Sequence, residues 1–227
     1  MGVSAKSAIP SLISLLKDSV ADVQLSAVWA LGRMGVSAKS AIPSLISLLK
    51  DSDWMVQLRA AGSLGKIGKD AIPSLIPLLK DSDWMVRLMV TMALGEMGES
   101  AKSTIPSLIP LLKDSQWRVR SQAAEALGKM GKDAIPSLIP LLKDSDLEMR
   151  SYVAEALGKM GKDAIPSLIP LLKDADAKVR SPVAWAIGSM GESAESAIPS
   201  LIPLLKDSDL EVRLMAADAL KKLGYQP

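Results

Sequence analysis

The 227-residue chain contains no cysteine, no histidine and no phenylalanine, and only two tyrosines. Without cysteine there is no disulfide framework. Without histidine as well, the usual ligands of zinc and iron are missing, so no metal centre and no cofactor are expected. Charge of one sign is also lacking: 27 Lys and Arg stand against 25 Asp and Glu, a formal net charge of +2. Such a balance, spread along the chain, argues against nucleic acid or an anionic membrane as partner. No apolar run approaches the roughly 18 residues of a membrane span. No signal peptide is recognisable either, so a cytoplasmic protein is expected. Met1-Gly2 falls short of a myristoylation signal because Lys6 stands where Ser or Thr is required.

What the chain has instead is a repeat. Ile-Pro-Ser-Leu-Ile recurs with its proline at Pro10, Pro43, Pro73, Pro106, Pro136, Pro166 and Pro199, always 30 or 33 residues apart. A fixed period of this size means that each unit is one supersecondary element which buries its apolar face by stacking on its neighbours. The chain is therefore read as one array over residues 1–227, with units at approximately 1–35, 36–68, 69–98, 99–131, 132–161, 162–191 and 192–227. Function in such an array is expected on a surface.

Each unit reads as two helices. In the third unit the first helix is expected over about Ile72 to Lys80, with Pro73 in its opening turn, where the missing N–H costs nothing. Pro77 falls where an intrahelical bond is already due, so this helix should be short or bent; Ser14 and Ser47 replace it in units one and two. The second helix begins after Asp81-Ser82-Asp83, good N-capping residues, and stops at Gly95 and Gly98. Only the connection between units varies in length, and its three extra residues are expected to bulge outward without disturbing the stack. Residues Met1 to Ser19 repeat Met34 to Ser52, so the chain reads as if it begins mid-array. That predicts an uncovered first helix exposing Ile9, Leu12, Ile13 and Leu16. Leu220-Lys221-Lys222-Leu223-Gly224 reads as a modest C-terminal cap.

Numbering each second helix from the residue after Asp-Ser-Asp, positions 3, 7, 10, 11 and 14 are nearly constant, as in Val119, Ala123, Ala126, Leu127 and Met130. Positions 1, 2, 5, 6, 9 and 13 vary. At about 100° per residue the constant set forms one apolar arc and the variable set lies opposite. The variable residues of the first four units are mostly apolar: Trp29; Trp54, Met55 and Leu58; Trp84, Met85, Leu88, Met89 and Met92; and Trp117. Stacked at helix-packing distance they would merge into an apolar strip, with Met55, Met85 and Met89 pointing furthest out. Such a strip marks a contact site, and tryptophan is enriched at binding hot spots. The alternative for Trp54, Trp84 and Trp117, at the edge of the arc, is packing between neighbouring helices. Further along, the same columns carry Arg118, Gln122, Glu148, Tyr152, Glu155, Lys178, Trp185, Glu211 and Asp218, and a more polar contact is expected there. The protein-binding candidates are thus the ten apolar residues just named together with Arg118, Gln122, Tyr152 and Trp185.

Two further repeated features read as structural. Asp83 with Arg87 recurs as Asp146 with Arg150, Asp176 with Arg180 and Asp209 with Arg213, a column that could form a ladder between units. The lysines such as Lys80, Lys113 and Lys143 read as a solvated edge. Acid–base or nucleophilic catalysis needs a convergent cluster of unlike groups, whereas here each polar residue is echoed every unit. No catalytic residue and no metal ligand is assigned, and no enzyme is expected.

The unit Leu-Ile-x-x-Leu-Lys-Asp-x-Asp followed by Val-Arg-x-x-Ala-Ala-x-Ala-Leu-Gly-x-Met-Gly resembles the HEAT-like repeats of the phycobilisome-lyase type, and the artificial helicoidal repeat proteins derived from that consensus. The resemblance covers essentially the whole chain. It implies an all-α, right-handed α-solenoid of seven two-helix repeats, with second helices on the concave side and the Asp/Arg ladder on Asp83, Arg87 and their equivalents. The chain departs from a strict consensus at Val20, Gln24, Gln57 and Pro182 and in its two connection lengths. Three functions follow as expectations: a protein-binding scaffold acting through the Trp/Met strip, a self-associating repeat module, or a subunit associated with a bilin lyase. No nucleic-acid or membrane partner is expected.

Overall fold

The structure, a computed structural model, describes residues 6–225. Its described residues hold fourteen α-helices and no strand. The first helices of the seven pairs are α1 (Ile9–Leu15), α3 (Ile42–Ser47), α5 (Ile72–Leu75), α7 (Ile105–Leu108), α9 (Ile135–Leu138), α11 (Ile165–Leu168) and α13 (Ile198–Leu201). The second helices are α2 (Ala21–Met34), α4 (Trp54–Ile67), α6 (Trp84–Met97), α8 (Trp117–Lys129), α10 (Leu147–Met160), α12 (Ala177–Ser189) and α14 (Leu210–Lys222).

The first helices behave as their prolines dictate. Where Pro77 follows Pro73, α5 has four residues and the chain tightens into a 3-10 segment, Ile76–Lys80. Where serine takes that place, α1 runs for seven residues and α3 for six, and Ser14 and Ser47 turn their hydroxyls back to Pro10 and Pro43 carbonyls at 3.2 and 3.1 Å. The second helices start on the capping residues anticipated: Asp83 Oδ1 accepts from the Met85 N–H at 2.9 Å, and Asp53, Asp146, Asp176 and Asp209 do the same. A cap of this kind contributes about 1 kcal/mol. Val20 offers no such side chain, though its N–H bonds Asp18 as the Asp53 and Asp83 N–H groups bond Asp51 and Asp81. Each second helix is followed by a glycine at positive φ; at Gly68 it is +85°, a conformation that strains any L side chain even though the space is open.

The chain divides into two compact units, one ending at Ala126 and the other beginning at Leu127. In the first, α2 packs on α4 and α4 on α6; in the second, α10 packs on α12 and α12 on α14. The constant positions are the core: Val56, Ala60, Leu64, Val153, Ala156 and Leu157 are sealed, as are Leu45, Leu75 and Leu168 from the first helices. The first helix is less open than its repetition of an interior one suggests. Ile9 and Leu16 are buried and Leu12 and Ile13 half-buried, because this face of α1 turns onto α2 within the same pair.

The longer connections do not bulge away from the stack. They form seven-residue 3-10 segments, Gly35–Ala41, Gly98–Thr104 and Gly191–Ala197, and each buries an additional alanine, Ala38, Ala101 or Ala194. They also set the register of the second helices. Across a long connection the glycine at position 12 meets position 10 of the next helix, as Gly32 meets Ser63, Gly95 meets Ala126 and Gly188 meets Ala219. Across a short one it meets position 13, as Gly65 meets Glu96 and Gly158 meets Ser189. Three inserted residues thus slide one helix along the next by three positions, about 4.5 Å at 1.5 Å per residue. The approach leaves no room for a side chain: a Cβ on Gly188 would stand 2.7 Å from the Ala219 Cα.

Register in turn decides the ion pairs. The arginine of position 4 always holds its own unit's turn, Arg87 Nη1 donating to the Asp81 carbonyl at 2.8 Å and Arg150, Arg180 and Arg213 to the equivalent carbonyls. Gln57 substitutes for it there through its amide, at 2.7 Å. Across long connections the arginine also reaches forward, Arg87 to Asp114 and Arg180 to Asp207. Across short ones the aspartate is taken by a lysine, Lys50 to Asp81 and Lys143 to Asp174. The ladder expected on Asp83 and its equivalents therefore runs through the preceding aspartate instead. Asp83 is committed to capping its own helix, and Asp81 or Asp114 faces the neighbouring unit. The lysines Lys50 and Lys143 are tie-points between units.

A candidate interaction face on the second helices

In the first unit the outward columns carry large apolar side chains in the open. Trp29, Trp54 and Trp117 are 49%, 57% and 55% exposed, whereas Trp84, Met55, Leu58, Met85, Leu88 and Met92 are half-buried. Met89 departs from expectation: it is 3% exposed and part of the core. Position 6 lies at the flank of the arc, and an unbranched thioether adapts to fill the gap beside the neighbouring helix.

Cations interleave with these rings. The Arg33 guanidinium lies 4.9 Å from the centre of the Trp29 ring, one helical turn along. Arg118 lies 4.9 Å from Trp117 and 5.9 Å from Trp84, so one guanidinium serves both rings at position 1 of adjacent helices. Of the tryptophans at position 1, Trp54 and Trp117 are open, and Trp84 is half-buried with the shared cation at its ring. The i,i+4 spacing of Trp29 and Arg33 carries this signal in the sequence, but the strip reads there as purely apolar. Trp29 also stands between two depressions. One, of about 490 Å³, is lined by Asp22, Leu25, Ser26, Met55 and Arg59; the other, of about 320 Å³, by Leu58, Arg59, Gly62, Ser63 and Lys66. The second exists because position 9 of α4 is Gly62, with nothing within 4 Å of where a Cβ would stand. Gln122, at position 6 of α8, is half-buried.

In the second unit the same columns do not form a merely polar rim. Tyr152 and Trp185, both half-buried, are brought to one depression of about 540 Å³ together with Leu147, Pro182 and Met215, which the sequence does not single out as contact residues. Its remaining polar lining includes Glu148, Glu155 and Glu211. The two ends of this site were separately legible, Tyr152 and Trp185 as aromatics and the glutamates as charges. The signal missed is that Ser151, Ser181 and Pro182 are compact residues at positions 5 and 6, so the large side chains around them surround a space.

Among the described residues no group of three or more His, Cys, Asp or Glu could hold a metal ion, and no helix is long and apolar enough to cross a membrane. The carboxylates with displaced pKa values belong to the inter-unit ties. Hydrogen bonds from Lys50 and Lys143 hold Asp81 and Asp174 below the ordinary carboxylate range. Burial pushes Asp114 upward, but the Arg87 fork, the Gln116 N–H and the charge of Arg120 outweigh it and the net displacement is downward. Asp207 is lowered chiefly by its bonds from Arg180, and both arginines are raised by their partners.

The pattern of two-helix units matches the HEAT repeats over residues 9–79, 42–108, 72–139, 105–171 and 165–227, successive overlapping pairs that leave little of the chain unmatched. The chain belongs to the HEAT-repeat family. No curated protein matches it by sequence. Among solved structures, the HEAT-repeat chain is similar to Kap121p at 16% identity and a TM-score of 0.57, covering 96% of this chain and 29% of that one. It is also similar to the complex of CpcE and CpcF of phycocyanin lyase from Nostoc sp. PCC7120, at 24% identity and a TM-score of 0.50, covering 95% and 94%. An engineered protein matches at 24% identity and a TM-score of 0.46, covering 96% and 69%. These likenesses are of fold. The HEAT repeats here form an all-α solenoid-type array, a scaffold fold with a general role in protein interaction.

Proposed function

We propose that the chain is a non-catalytic protein-binding scaffold whose contact residues are the outward columns of the second helices, centred in the first unit on Trp29, Trp54 and Trp117. The observation that carries this reading is that three tryptophans, each about half exposed, stand in the variable columns of the second helices of the first, second and fourth repeats. Leaving such rings in water forgoes the roughly 1.5–3 kcal/mol that burial of a large apolar side chain contributes. Rings presented this way, with a cation alongside, match the composition of interface hot spots. The depressions on either side of Trp29 add relief into which a partner's side chains can seat.

The test compares the chain with a W29A/W54A/W117A variant by crosslinking mass spectrometry of bound proteins, with light scattering to record self-association and circular dichroism to confirm helix content. Partner crosslinks on the second helices should be lost in the variant, since each hot-spot truncation costs about 2 kcal/mol or more. Partners retained unchanged, or crosslinked only along the first helices, would overturn the reading. A change from dimer to monomer in the variant would identify the partner as a second copy of the chain.

A further inference from the structure

The depression on the second unit differs in chemistry from those beside Trp29. Its volume of about 540 Å³ falls within the roughly 300–1,000 Å³ typical of ligand clefts. Tyr152, Pro182, Trp185 and Met215 give it an apolar surface. Three carboxylates, Glu148, Glu155 and Glu211, line it, and among the described lining residues there is no lysine or arginine. Lys159 bonds one oxygen of Glu155 at 2.8 Å, and Lys178, Lys221 and Lys222 lie outside the lining. The smaller depression beside Trp29 has the opposite character, with Arg59 and Lys66 in its lining and no carboxylate, and the larger one has both Asp22 and Arg59.

Glu148 and Glu211 occupy position 2 of α10 and α14, with α12 between them. At about 8–10 Å between packed helices they bracket a span of roughly 16–20 Å. An extended peptide rising about 3.3 Å per residue crosses that in about five or six residues.

We infer that this depression receives an extended, arginine- or lysine-bearing segment of a protein partner. A guanidinium or ammonium group at either end of the segment pairs with Glu148 or Glu211, and charge-assisted bonds of this kind are the stronger class. The Trp185 and Tyr152 rings offer a face to the same cation. An apolar residue between the charges packs on Pro182 and Met215. The inference deepens the scaffold reading and rests on it, by assigning to one part of the second-helix face the chemistry of its partner.

The experiment uses the full chain and a fluorescein-labelled six-residue peptide with arginine at its second and fifth positions and leucine between them, followed by anisotropy. A citrulline peptide of the same shape and a glutamate peptide are the controls. Saturable binding is expected for the arginine peptide alone, weakening as salt is raised. An E148Q/E211Q variant, which preserves side-chain shape, should weaken it about tenfold, while K17A, on the first helix pair, should leave it unchanged. Equal binding of the citrulline peptide, or unchanged affinity in E148Q/E211Q, overturns the inference. So does light scattering that shows the parent to be a dimer and E148Q/E211Q a monomer, because the occupant is then a second copy. If peptide binding is absent while crosslinks dependent on Trp29 persist, the cationic-segment assignment falls and the scaffold reading stands; if both are absent, both fall.

Discussion

Arg87 and Asp114 are joined by a fork across two successive repeats, Nε to Oδ2 at 2.7 Å and Nη2 to Oδ1 at 2.9 Å, while the same guanidinium holds the Asp81 carbonyl through Nη1. Both side chains are largely shielded, 13% and 6% exposed. The pair recurs as Arg180 and Asp207, and both cases span 27 residues, the distance set by a long connection. One arginine therefore does two jobs, one local and one dependent on register, and the two are experimentally separable.

An R87Q variant isolates the second job, because Gln57 shows that a glutamine amide still reaches the turn carbonyl. Loss of the fork should cost about 1–3 kcal/mol, as charge-assisted hydrogen bonds do. R150Q, where the arginine bonds its own turn without a recorded fork, should cost distinctly less. Urea unfolding of both variants checks this; equal losses would mean that the forward fork adds nothing.

Removing residues 100–102 converts a long connection into the short form. The register rule then predicts that α8 slides three positions against α6, so that Gly95 meets Lys129 in place of Ala126. Asp114 should exchange its Arg87 fork for an ion pair with Lys80, as Asp81 pairs with Lys50 and Asp174 with Lys143. A crystal structure of the deletion variant decides it. Retention of the Arg87 fork would show that side-chain chemistry, not connection length, selects the partner.

Acid should weaken the ties in a definite order of pH. Asp81, Asp114, Asp174 and Asp207 all have folded-state pKa values below the ordinary value of 3.8. A carboxylate lowered on folding contributes its full stability above the unfolded-state pKa and loses it as pH falls through the folded-state pKa. Stability from these pairs should thus hold at neutral pH and decline below about pH 4. D114N/D207N should flatten that decline. Added salt should weaken the Asp81 and Asp174 ties, whose lysines are 57% exposed, more than the shielded arginine forks. Thermal melts from pH 7 to pH 2 at low and high salt test both statements.

Much of the architecture was legible from short-range pattern. The proline spacing, the capping aspartates and the effect of Pro77 on the first helix all act within one unit, where a few residues determine the backbone. The division of each second helix into constant and variable arcs held for nearly every position, because helical period alone fixes which side chains share a face. Met89 and Ser181 are exceptions, since a position at the flank of an arc is buried or open according to what the next helix places beside it.

What the sequence by itself determined, then, is everything that depends on one helix or one turn: the repeat, its two helices, their ends and the side that faces outward. The tertiary structure decided what depends on the offset between helices. Capping of its own helix withdraws Asp83 and leaves Asp81 and Asp114 as the inter-unit carboxylates, and the offset chose lysine or arginine as their partner. It also brought Tyr152, Pro182, Trp185 and Met215, from three helices, around one space. Each residue's character is written in the chain, but its neighbour across the stack is set by how far one helix has slid along the next, and only the packed helices show that three connection residues become three positions of slide.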